Sequence, residues 1–262
     1  MRKPVPVAGS PSTTPLSAAP TSAPAPVTSP AAEPEEDRDL VLPKLRLQVH
    51  DLSLPGASAV LQTVYIDDVM ACAARNVLKW LYPSPSTATA PGTRSVTLIV
   101  RDMDGVAYTT GSELDDDHKE IHLSARYIAG VKPHSRQGEE IAGVATHEMV
   151  HCLQHNGRGT APGGLIEGVA DWVRLRCGLG PPHWKRDPSA AGRWDAGYQH
   201  TAYFLDYLED RFEAGTVARI NEKLRLYRYD EDRFWMELVG RPVKLLWGEY
   251  VDDLRGDAGS SD

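Results

Sequence analysis

The chain has 262 residues, 41% of them hydrophobic, enough for one domain of good size with a real core. Its formal net charge of −8 offers nothing to a nucleic-acid backbone or an anionic membrane surface, so neither is expected as a partner. The three cysteines are odd in number and widely spaced, which implies no disulfide framework and suits a reducing compartment.

Residues 1–39 consist largely of Pro, Ala, Ser and Thr and close on the acidic run Glu33 to Asp39, a composition that predicts a disordered tail. Arg2 and Lys3 are not followed by an apolar run of about seven residues or more, and no stretch is long enough to span a membrane. An intracellular location is therefore expected. The folded domain is expected over 40–255, with a disordered end at 256–262. Leu45, Leu47 and Val49 alternate with polar residues as in a half-buried strand. Ala57 to Leu81 carries apolar residues at helical spacing and predicts one long helix stopped by Pro83 and Pro85, with Cys72 as a buried thiol within it. Val96 to Val100 is a nearly continuous apolar run and predicts a central strand. Val106–Thr109 and Ile121–Leu123 offer two more strands. The acidic residues Glu113 to Asp117 between them lack the spaced ligands of a calcium loop and read as a solvated turn.

The chemistry concentrates in Glu139 to Asp171. Ile141, Val144, Ala145, Met149 and Cys152 recur at helical spacing, and His147 and His151, four apart, lie beside that stripe. With Glu148 between them they form H-E-x-x-H: two imidazoles for a divalent metal and a carboxylate within reach of a water on it. Asn156-Gly157 and Pro162-Gly163-Gly164 end this helix, and Leu165, Val169, Trp172 and Val173 start another. If the two helices face each other, Glu167 reaches the metal as a third ligand and leaves a fourth position open, as catalytic zinc requires. Asp171, one turn on, can accept the other ring N–H of a ligand histidine. The competing reading makes Glu167 and Asp171 an ordinary polar helix face. His155 lies about 6 Å further along the axis and overshoots a metal held by the first two histidines, so it is read as a rim residue.

The runs H-E-M-V-H-C-L-Q-H-N-G and A-P-G-G-L-I-E-G-V-A-D-W-V-R-L resemble the plant basic secretory protein family, zinc metallopeptidases of the zincin type. Asp102 to Tyr108, the strand-like Ile121 to Ile128, Arg193 to Tyr198 and Thr201 to Tyr207 are similar to it as well, so the resemblance covers nearly everything after Leu40. It implies one zinc ion on His147, His151 and Glu167, Glu148 as base, and Asp171 supporting a ligand histidine. It also offers secretion as the alternative location, although the acidic balance departs from the family's name.

Beyond the site the segments Tyr198–Phe212, Thr216–Tyr227, Asp230–Val239 and Pro242–Leu254 read as helices, with Trp194, Trp235 and Trp247 as core anchors. The expected fold is α+β and zincin-like: a mixed sheet packed on the metal helix, then a mostly helical C-terminal half. The expected function is a zinc-dependent peptidase acting as a monomer on peptide or protein substrates. The alternatives are a catalytically silent scaffold binding peptides or wall material, and a closed structural zinc site recruiting His155. Tyr198, after a glycine hinge at a helix start, is the candidate second donor to the oxyanion, a role borrowed from glutamate-ligand zincins. The equal alternative is a core residue beside Tyr203, Phe204 and Tyr207.

Overall fold

Alternation and apolar runs do become strands. In the computed structural model, which describes residues 41–83, 90–187 and 192–259, β1 (Lys44–Val49), β2 (Ser95–Arg101), β3 (Ala107–Ser112) and β4 (Asp115–Ser124) form a sheet in the order β1-β2-β4-β3. The tail expected over 1–39 lies outside these residues. β1 and β4 flank β2 in parallel, with Leu45 opposite Val96 and Leu98 opposite Ile121, while β3 runs antiparallel to β4 and forms an edge. The apolar run of β2 is thus central, as its composition predicts. Val96, Leu98, Val100, Ile121 and Leu123 are all buried on one face of the sheet, where helices cover them.

The helical part comprises α1 (Pro55–Thr63), α2 (Ile66–Leu81), α3 (Ala125–Gly130), α4 (Gln137–Leu153), α5 (Gly163–Arg176), α6 (Tyr198–Arg211), α7 (Thr216–Leu226), α8 (Glu231–Val239) and α9 (Val243–Gly259). The domain is therefore α+β, with a four-stranded mixed sheet and a mostly helical C-terminal half. α4 is buried nearly all round, through Ile141, Val144, Ala145, Met149, Val150 and Cys152, because it lies between the sheet on one side and α2 and α5 on the others. Its last carbonyls are taken by side chains from earlier in the chain: Thr93 Oγ1 donates to Cys152 O at 2.9 Å, and the Tyr82 hydroxyl donates to Leu153 O. Trp194 and Trp235 are buried edge to face, and the half-buried Trp247 meets Phe204 in the same way. Among the described residues no helix is long and apolar enough to cross a membrane.

Several expectations need correction. The single helix over 57–81 is two, broken where Val64 and Tyr65 turn extended. The halves have different partners: α1 presses on α3, where a Cβ on Gly56 would meet Ala125 O at 1.8 Å, whereas α2 packs on α4. Asp67 and Asp68 in the first turn of α2 suit its positive end. Cys72 is exposed rather than buried. The acidic turn shrinks to Glu113 and Leu114, because Asp115 to Asp117 already belong to β4. Their charges are met across the sheet edge and along the strand, Asp115 and Asp117 by Arg94 and Asp116 by Lys119. The strand-like run 121–128 ends at Ser124, whose hydroxyl accepts from Tyr127 N and caps α3. α9 continues to Gly259, into the segment expected to be disordered.

Candidate metal centre

α4 and α5 run antiparallel in close contact, and Gly143 on α4 makes room there for Arg174 of α5, whose guanidinium a Cβ would meet at 2.6 Å. On its other side α5 meets α6, where Gly168 makes room for Thr201. The Arg174 guanidinium donates to Glu140 Oε1 at 3.1 Å, with both side chains buried, and Tyr127 OH donates to the same oxygen at 2.8 Å. Contacts then follow in register down the pair: Glu140 with Arg174, His147 with Asp171, and His151 with Glu167.

In that register three ligand atoms converge. His147 Nε2 is 3.1 Å from His151 Nε2 and 3.2 Å from Glu167 Oε2, and His151 Nε2 is 3.5 Å from the same carboxylate oxygen. Among the described residues this trio is the one group of histidine, cysteine and carboxylate side chains close enough to hold a metal ion. His147 Nδ1 lies 2.7 Å from Asp171 Oδ1, and Asp171 is 3% exposed. Burial pushes the His147 imidazolium down, but the hydrogen bonds to Asp171 and Glu167 outweigh it and raise the ring to about 9. Burial would raise Glu167, yet His147 and His151 hold its carboxyl far below the usual range. Glu148 is 5% exposed, and its Oε2 accepts from Thr109 Oγ1 at 2.7 Å. His151 Nδ1 lies 2.6 Å from the side-chain amide of Gln154.

The trio lies in a cleft of about 950 Å³ whose other wall is the edge strand β3 with Tyr108 and Thr109, and the start of α6 with Tyr198. Tyr198 is 58% exposed and its ring stacks on His147, with centroids 6.2 Å apart, so the reading of it as a core residue is set aside. Its backbone is left-handed at φ 48, directly after Gly197 at φ 92. Gly164 opposite has no side chain because a Cβ there would meet Asp195 O at 1.9 Å. Glu167's charge, then burial, raises the Tyr198 phenol. His155 stays outside the trio: its N–H donates to Asn221 and its ring sits edge-on to Tyr82.

Thr109, Gln154 and the Glu140–Arg174 pair went unnoticed in the sequence. Glu140 and Arg174 did carry a signal, since they lie seven residues before His147 and seven after Glu167, on the same faces of two antiparallel helices. Thr109 carried none, because the contact links residues 39 apart.

No curated protein and no solved structure matches the chain. The family model BSP, described as a peptidase of plants and bacteria, matches residues 42–250, which include the whole sheet, the trio and the cleft. The chain therefore belongs to the basic secretory protein family of plant and bacterial peptidases.

Proposed function

We propose that the protein is a zinc-dependent peptidase of zincin-like arrangement, with His147, His151 and Glu167 as the metal ligands. The observation that carries this is the convergence of the two imidazole nitrogens and one carboxylate oxygen within 3.1–3.5 Å of one another. The donor set fits the ion: two imidazoles and a carboxylate, with a fourth position left to water or substrate, suit a catalytic rather than a closed site. The fit extends outward. Asp171 can keep the His147 proton on Nδ1 and free Nε2. Gln154, whose amide nitrogen lies against that ring while its buried oxygen has no partner, can do the same for His151 once the amide is flipped so that the oxygen accepts from Nδ1. His155, engaged with Asn221 and Tyr82, does not favour the closed structural site.

Zinc supplies Lewis acidity to a carbonyl and lowers the pKa of water. The rest is the work of side chains and one strand. Glu148 takes the proton of the attacking water and passes it to the leaving nitrogen. Tyr198 offers its hydroxyl to the developing oxyanion from the exposed lip of the cleft. Among the described residues β3 is the sheet edge at the cleft, and its outer main-chain groups are offered to an extended peptide, the edge that the sequence left unidentified. A silent scaffold that binds peptide would have no use for a buried, hydrogen-bonded Glu148.

The test uses the full chain loaded with zinc, casein as substrate, and Glu148→Gln beside wild type. Turnover is expected to fall by about 10²-fold or more with zinc content unchanged. Equal hydrolysis by both proteins would refute Glu148 as base, and no hydrolysis by either would favour the scaffold.

A further inference from the structure

We infer that Thr109 is a positioning residue for Glu148, fixing which carboxylate oxygen receives the proton. The inference rests on the reading of Glu148 as the base. Thr109 lies on the edge strand β3, opposite Ile121 of β4, and its side chain stands on the sheet face that meets α4. Its hydroxyl is 2.7 Å from Glu148 Oε2 and 3.1 Å from the main-chain oxygen of the same residue. Among the described residues it is the one hydrogen-bond partner of the Glu148 carboxylate, and both residues line the cleft.

A carboxylate on a helix can turn about its terminal torsion, and its two oxygens are then equivalent. Thr109 removes that equivalence. With the hydroxyl proton given to Oε2, the nearer of its two oxygen acceptors on Glu148, a proton taken up by the carboxylate goes to Oε1 and leaves the hydroxyl bond intact. The bond survives both protonation states: Oε2 accepts from Thr109 while Oε1 gains the proton from water and later gives it to the leaving nitrogen. No side chain needs to rotate between the two transfers. Because Thr109 belongs to the strand that lines the cleft, it also ties the base to that strand, and a chain paired along β3 is set in register with Oε1.

The experiment compares Thr109→Val, which keeps the shape and removes the hydroxyl, with Thr109→Ser, which restores it. Thr109→Ala stands in if valine unsettles the strand. Casein hydrolysis by zinc-loaded protein is expected to fall about tenfold or more in kcat for Thr109→Val, with KM within about twofold, zinc content unchanged and serine close to wild type. Independently of activity, the ¹³C carboxyl resonance of Glu148 in the metal-free protein, assigned by its loss in Glu148→Gln, is expected to move in Thr109→Val and return in Thr109→Ser. A wild-type kcat in Thr109→Val while Glu148→Gln is inactive overturns the role of Thr109 and leaves the base reading standing. An active Glu148→Gln overturns the base reading and this inference with it. If wild type does not cleave casein, the resonance decides, and an unmoved signal overturns the inference.

Discussion

The two walls of the cleft are built on opposite terms. The helical wall, α4 against α5, is packed through the Gly143–Arg174 contact and the buried Glu140–Arg174 pair, which hold His147, His151 and Glu167 in register. The facing wall is a sheet edge and a helix start: Tyr198 is 58% exposed and sits in a left-handed backbone that a tyrosine rarely adopts. What the contrast teaches is a division of labour. The wall that fixes geometry is packed as a core, and the wall that would meet a substrate is left open to it.

The largest effect should come from the packed wall. His147→Ala, His151→Ala and Glu167→Ala are each expected to abolish stoichiometric zinc, read by metal analysis of the purified protein, whereas His155→Ala retains it. Full zinc in Glu167→Ala would remove α5 from the site and with it the contrast between the walls. On the open wall, Tyr198→Phe is expected to lower turnover by roughly 10²-fold with zinc content unchanged, as for loss of an oxyanion donor. Unchanged turnover would leave the exposed ring without a part in the chemistry.

Asp171→Asn should act less strongly, because Asp171 would act on a metal only through His147. Zinc affinity, measured by competition with a chelator, is expected to weaken about 10- to 100-fold. The smallest effect should come where the walls meet. A Cβ on Gly168 would lie 2.2 Å from Thr201 Cγ2, and Thr201 cannot swing aside cheaply because its hydroxyl bonds Trp194 O and Gly197 N. Gly168→Ala is therefore expected to cost about 1–3 kcal/mol in denaturant unfolding. A neutral result would show that the loop behind Tyr198 yields easily and that the open wall is softer than its contacts imply.

Helical periodicity made α4 and α5 legible, and the spacing from His147 to Asp171 carried the trio because every member lies on those two helices. The break between α1 and α2 was not legible, since Val64 and Tyr65 continue an apolar pattern and the reason for the break is a partner, α3, far along the chain. The acidic start of β4 escaped for a similar reason. Asp115 to Asp117 look like turn residues until Arg94 and Lys119 are placed beside them. Thr109 belongs to the same class: its meaning comes from a helix 39 residues away.

The side-chain clasp on the end of α4 has a consequence for how the domain opens. Helix ends ordinarily fray, and their amides exchange with solvent without global unfolding. Here Leu153 O and Cys152 O are held by hydroxyls from residues 71 and 59 positions earlier in the chain. Fraying the turn that bears His151 would mean detaching Tyr82, which follows α2, and Thr93, which leads into β2. Amide exchange at Cys152, Leu153 and Gln154 should therefore follow the opening of the N-terminal half of the domain, and that turn should be among the slowest helix ends in the molecule to exchange.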